Sequence, residues 1–282
     1  MAVQERVDRL QETPASGDAI RFIGNATVLL TFGDLTILTD PNFVHRGVEV
    51  PIGFGLTTTR LTDPALEIDE LPPLDLVLLS HDHGDHFDAL AEARLDRSIP
   101  IATTPSASRS LAQRGFSAVR GLETWTSTEL TGGRTRARIT ALPAQHAAGP
   151  VAAVMPEVMG SLLELFREAA DEEPALRIYV TGDTVIFDGL AEIAERFPRI
   201  DLALLHLGGA RVMGLQGSMD AGQGVQLLDL VRPRTAVPIH YNDYEAFKSP
   251  LAEFVARVKG SGWEGRVSYL LPGDRFLLQA PT

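Results

Sequence analysis

The first apolar runs along the chain are short and β-rich: AIRFIG (19–24), ATVLLTF (26–32) and LTILTD (35–40), the last two parted by the turn dipeptide Gly33-Asp34. They predict a β meander. A Pro- and Gly-rich stretch follows over 41–73 with no convincing period. A loop that long inside a compact domain usually has a function, often as a lid. From residue 74 the pattern changes. LDLVLLS (74–80) is almost continuously apolar, as in a strand covered on both faces. Segment 88–95 reads as a helix, IPIAT (99–103) as a strand, and 106–114 as a helix closed by Gly115. Further strands are expected at ARITALPA (137–144), as a pair within 151–165, and at LRIYVTGD (176–183). The last third alternates more regularly: helix 188–197, strand IDLALLH (200–206), helix 220–231, strand TAVPIHY (235–241), helix 244–258 and two closing strands, RVSYL and DRFLLQ. Strands gathered at both ends with helices interspersed favour two packed sheets flanked by helices, an α/β (α+β) four-layer αββα sandwich.

Composition narrows the chemistry more than the fold. The 282 residues suit one large layered domain, and 44% hydrophobic with 22% charged residues is too apolar for a disordered chain. No apolar run is long enough to cross a bilayer, and the charged start lacks a secretory signal, so a cytoplasmic location is the expectation. Cysteine is absent, which removes disulfides, thiolate ligands and cysteine nucleophiles, leaving His, Asp and Glu to hold any metal. The net charge of −12 argues against an extended nucleic-acid surface. No serine sits in a G-x-S-x-G context, and no phosphate-binding glycine loop is present.

The strongest local feature is S-H-D-H-G-D-H (80–86), directly after an apolar strand. It packs three His and two Asp into six consecutive positions, where the side chains can converge on a metal. Of seven histidines in the chain, three more stand at or just past strand ends: His146 in ALPAQHAAG, His206 in ALLHLGG and His240 in VPIHYND. Asp183 ends another strand in IYVTGDT. A single histidine in such a place is more often structural, but several strand ends on one edge can share one mouth. Asp40, before Pro41, either orients a ligand histidine or simply ends a strand. His45 lies in the long loop and reads as a surface residue.

H-x-H-x-D-H, filled by His81, His83, Asp85 and His86, resembles the signature of the metallo-β-lactamase superfamily. His146, the T-G-D-T strand end at Asp183 and the P-x-H at His240 follow in the same order. LTDPNF and ELPPLDLVLLSHDHGDH resemble the branch holding the N-acylphosphatidylethanolamine phospholipases D and the ascorbate-6-phosphate lactonases. The resemblance implies a single metallo-β-lactamase-fold domain over 19–282 after an N-terminal extension, 1–18. It also implies one metal on His81, His83 and His146, another on Asp85, His86 and His240, and the Asp183 carboxylate bridging both. Zinc is the first choice of metal, with manganese or iron as alternatives. Diiron relatives usually carry Glu where His83 stands.

Such a site would lower the pKa of water, so that hydroxide attacks a small phosphodiester, phosphoester or lactone. Asp85 is expected to orient the nucleophile and take up its proton. His206, where many relatives carry Pro, is expected to donate a hydrogen bond to developing charge on the substrate. Tyr241 is a weaker candidate for that contact and reads more readily as packing. The 41–73 loop, with Phe43, Val48, Val50, Ile52, Phe54 and Leu56, is expected to cover the mouth or to brace the sandwich. The expected partner is a small molecule, with no nucleic acid, no integral membrane contact, and homo-oligomerisation left open. A nuclease or a non-catalytic metal-binding scaffold on the same fold is the competing class. Retention of every motif position speaks against the scaffold.

Overall fold

A computed structural model describes residues 17–149, 152, 155–212 and 214–279. The expected meander is present as β1 (Ala19–Gly24), β2 (Thr27–Phe32) and β3 (Leu35–Thr39). The 41–73 stretch holds a hairpin that composition did not announce, β4 (Glu49–Pro51) paired with β5 (Thr57–Thr59). Gly53, Phe54 and Gly55 at its tip all adopt positive φ, which the flanking glycines accept without strain. Then come β6 (Leu76–Leu78), α1 (Ala89–Arg94), β7 (Ile101–Thr103), α2 (Pro105–Gln113) and β8 (Val119–Gly121). Asp88 caps α1 by accepting Ala91 N–H at 2.7 Å, and Thr104 caps α2 ahead of Pro105.

The second half runs β9 (Ser127–Gly132), β10 (Thr135–Leu142), β11 (Gly160–Phe166), β12 (Leu176–Val180), α3 (Ala191–Arg196), β13 (Leu202–His206), β14 (Gly208–Val212), β15 (Leu215–Gln216), α4 (Ala221–Val231), β16 (Thr235–Ile239), β17 (Phe247–Ser249), α5 (Leu251–Val258) and β18 (Arg275–Leu277). Three expectations change. Of the strand pair within 151–165, β11 is present, and much of the other half lies outside the described residues. The helix expected from 244 starts at Leu251, because 247–249 pairs with β14 and Pro250 then opens the helix. RVSYL contributes only a bridge from Val267 to Ala236.

One sheet has the order β18-β1-β2-β3-β6-β7-β8 and the other β16-β13-β12-β11-β10-β9. In each, an antiparallel part continues into parallel strands, β3-β6-β7-β8 and β12-β13-β16. Parallel neighbours deliver their carboxyl ends to one edge, and that edge carries the site. Side chains alternate between faces along each strand. Ile20, Phe22, Val28 and Leu30 meet Ile139, Leu163, Ile178 and Leu204 between the sheets. Leu29, Val77 and Ile101 pack outward with Ala91 of α1 and Leu111 of α2. Leu162, Tyr179 and Ala203 pack outward with Ile193, Leu227 and Phe254 of α3, α4 and α5. The four-layer αββα arrangement is therefore present. Among the described residues, no helix is long and apolar enough to cross a membrane.

Candidate metal centre

The buried strand β6 runs straight into the histidine-rich turn. Ser80 N–H donates to Asp40 Oδ1 at 2.7 Å, and Asp40 N–H donates to Leu78 O at 3.0 Å, which locks the ends of β3 and β6 together. His86 and Phe87 N–H donate back to His83 O at 3.0 and 2.8 Å, so 83–87 closes into a tight turn. Asp40 and His240 sit at φ 35° and 58°, left-handed conformations that non-glycine residues adopt at a cost of order 1–3 kcal/mol and that cluster at functional sites. A side chain on Gly208 would come within 2.6 Å of His240 O, so this glycine is required where β14 passes under the histidine.

The side chains converge in three groups, one of them Asp40, His86 and His206, which shares His86 with its neighbour. His81, His83 and His146 form another, and Asp85, His86, Asp183 and His240 the third, with candidate ligand atoms within 4.8 Å of one another in each. His146 Nδ1 lies 3.0 Å from Gly217 O and His240 Nδ1 lies 3.2 Å from Leu207 O. A carbonyl only accepts, so both rings are protonated at Nδ1 and present bare Nε2 atoms. Ser80 Oγ stands 3.0 Å from His81 Nδ1 and 3.3 Å from His86 Nδ1. Sequence reasoning assigned no role to Ser80, although it opens the motif. His81 Nε2 and His83 Nδ1 face each other at 3.0 Å.

Residues 36–241 match the Beta-lactamase superfamily domain. The chain belongs to that superfamily. A UPF0173 metal-dependent hydrolase of Archaeoglobus fulgidus is 27% identical over 262 residues, covering 91% of this chain and 97% of its own. Another, from Thermus thermophilus, is 29% identical over 259 residues, covering 90% and 96%. Among solved structures, the isothiocyanate hydrolase from Delia radicum gut bacteria shares the fold at a TM-score of 0.76 and 18% identity, covering 93% of this chain and all of that one.

In this superfamily member the two ligand groups differ electrostatically. Burial is the main cause that holds His81 well below the ordinary imidazole range, His83 at about 4, and His146 below its usual value. All three are neutral near pH 7 and ready to act as ligands. Burial also pushes His86 downward, but Asp183, Asp85 and Asp40 outweigh it and hold its proton well above the usual range. Burial raises the Asp183 and Asp85 carboxyls, and neighbouring histidines more than reverse this, so both are lowered.

The residues fit a metal pair on their own chemistry. His86 Nε2, His146 Nε2, His240 Nε2, Asp85 Oδ1 and Asp183 Oδ1 are buried without a hydrogen-bond partner. Bare polar atoms in such a place carry a desolvation cost of about 1–3 kcal/mol each unless a cation meets them. Asp82, the remaining acid of the motif, turns away to pair with Arg114.

Four placements depart from or extend the sequence reading. His206 is fully buried and does not line the mouth. Its ring nitrogens are 3.2 Å from Thr181 Oγ1 and 3.2 Å from Asp40 Oδ2, so both have protein partners. Tyr241 donates its hydroxyl to Leu270 O at 2.9 Å and is a packing residue. Asp40 Oδ2 lies 3.3 Å from His86 Nδ1, the geometry of a carboxylate that orients a histidine. Burial pushes the Asp40 carboxyl up, but His86 and His206 hold it at about 2. The 41–73 stretch does both things weighed for it: Phe43 and Val50 are buried, while Ile52 and Phe54 line the cavity with His83, Asp85, His146 and Asp183. Gly84 N–H donates to Pro51 O at 2.8 Å, fastening the hairpin to the metal turn. His45 is exposed beside Asp63 and Glu67, as expected.

Proposed function

We propose that the protein is a metal-dependent hydrolase of small esters, with one metal on His81, His83 and His146 and a second on Asp85, His86 and His240. Asp183, gathered with Asp85, His86 and His240, is assigned as the bridge on the resemblance of its T-G-D-T strand end. The carrying observation is the set of buried, unpartnered ligand atoms that aim at one mouth. Zinc suits the His-rich donor set, with manganese or iron as alternatives. Bound metal ions would supply a Lewis acid and a water of lowered pKa. The rest falls to the chain. Asp85, with Oδ1 unpartnered and Oδ2 3.6 Å from His240 Nε2, orients the attacking water and accepts its proton. Ile52 and Phe54 exclude bulk water. The resemblance of LTDPNF and the 70–86 stretch to phospholipase D-like enzymes and lactonases supports phosphodiesters, phosphoesters and lactones as the substrate range.

Elemental analysis of protein prepared without chelator should approach about two metals per chain. Asp183→Ala should lower occupancy of both sites and His240→Ala mainly of one. A panel of lactones, carboxylic esters and phosphodiesters should show turnover that chelation abolishes and zinc restores. Full metal loading with no turnover on any substrate class would replace the enzyme by a metal-binding scaffold.

A further inference from the structure

The turn between β1 and β2, which belongs to neither the histidine motif nor the proposed ligands, makes direct contact with one ligand set. Asn25 stands first in that turn, fully buried and at φ 52°, in the left-handed region. Its side-chain Nδ2 donates to Asp85 O at 2.6 Å, the only direction possible because a carbonyl accepts and does not donate. Its own carbonyl accepts the His240 N–H at 2.7 Å. Asp85 lies in the turn after β6 of one sheet, and His240 directly follows β16 of the other, so one residue grips the main chain of both. Asp243 anchors Asn25 in its place: Oδ2 accepts the Asn25 N–H at 3.1 Å, and Oδ1 accepts the Thr62 hydroxyl.

Glycine is the ordinary residue for a positive φ, and Asn enters such turns chiefly where its side chain bonds to nearby backbone. Here the amide reaches instead to a carbonyl 60 residues along the chain. Its Oδ1 is buried with no partner, a desolvation cost that glycine at the same place would avoid. Turn geometry and stability therefore do not account for this side chain, whereas its contact with Asp85 does. His240 sits at φ 58°, a conformation that its surroundings must hold, and the bond from its N–H to Asn25 O is part of that hold. Resting on the metal assignment above, we propose that Asn25 is a positioning residue, which fixes Asp85 and His240 at the separation their metal requires before that metal arrives. Among the described residues, none of His81, His83 and His146 bonds to Asn25, so the effect belongs to the Asp85–His86–His240 set alone.

The test measures metal binding by the full chain in two single-site backgrounds. His146→Ala leaves the Asp85–His86–His240 set, and His240→Ala leaves the His81–His83–His146 set. Zinc is titrated against a chromophoric chelator in each, with and without Asn25→Gly, which accepts the left-handed backbone and removes the amide. Zinc affinity should fall about tenfold in the His146→Ala form and change by less than about twofold in the His240→Ala form. Cobalt(II) bound in place of zinc should show altered visible bands in the His146→Ala form on the same substitution, a change of ligand geometry that a merely stabilising side chain would not produce. Asn25→Ser, whose hydroxyl is too short to reach Asp85 O, gives the same readings if the glycine form does not fold. Unchanged zinc affinity and cobalt bands in the His146→Ala background overturn the proposal. Equal weakening in both backgrounds also overturns it, because it marks a residue that supports only the fold. Absence of zinc binding by the His146→Ala form with Asn25 intact overturns the metal assignment itself, and the positioning role with it.

Discussion

His206 shows what a single residue contributes when the same imidazole is moved from a mouth to a core. Its backbone N–H donates to Thr181 Oγ1 at 2.9 Å and its ring reaches Asp40 Oδ2, the same oxygen that meets His86. The chain His206–Asp40–His86 ends at a proposed ligand, so His206 acts as a positioning residue two steps removed. Partners of ligand histidines are typically worth about 10–100-fold in metal affinity. His206→Phe should therefore weaken the Asp85–His86–His240 metal by about tenfold in a chelator competition, leaving the other site unchanged. In an Asp40→Ala background the same substitution should add little, because the path through Asp40 is already cut. Equal weakening of both sites, or full additivity, would make His206 a packing residue only. Its strand-end position was legible in the sequence. Its direction was not, because the strand could be read but the neighbour it faces comes from 166 residues away.

At the scale of elements, the 41–73 stretch is held by side chains rather than by its own regularity. Asp88 accepts the Val44 N–H at 2.6 Å and the Phe43 N–H while its other oxygen caps α1. The buried Arg60 binds Asn42 and lies over the Tyr244 ring at 5.3 Å to the centroid. Removing the Asp88 carboxylate deprives α1 of its cap, worth about 1 kcal/mol, and leaves the two loop donors buried without an acceptor. Asp88→Ala should destabilise the protein by about 3 kcal/mol in denaturant unfolding and speed amide exchange over 41–60. A loss below 1 kcal/mol with unchanged exchange would show that the loop is held by packing alone. Periodicity could not find the β4–β5 hairpin, since three-residue strands with a Gly-rich tip leave no run long enough to show a period of two.

For the whole molecule, the two sheets each contribute ligands, so metal binding should tie them together. Chelation should lower the thermal midpoint, as removal of any ligand that binds only the folded state does. The order of metal loss on acidification follows from the two environments. His86 keeps its proton to higher pH than an ordinary imidazole, whereas His83 gains one only near pH 4. Because a proton competes with the metal for His86 at a higher pH than for His83, acidification should empty the Asp85–His86–His240 set while the His81–His83–His146 set is still filled. Stepwise dialysis with elemental analysis of each site-directed single-metal form gives the order. Release of the histidine-only site first would contradict it.

What the sequence determined by itself was local: which segments are buried strands, where the αββα layers come from, and that eight His and Asp residues, the seven expected ligands and His206, stand at or just past strand ends. Those follow from hydrophobic period and ligand type, which neighbouring residues set. Only the tertiary structure decided which nitrogen each histidine offers, because the carbonyls that fix the rings of His146 and His240 belong to Gly217 and Leu207, 71 and 33 residues away. It also decided that His206 is buried and that Ile52 and Phe54 reach the mouth. Each of these depends on where one sheet edge meets another, a distance that no local pattern encodes.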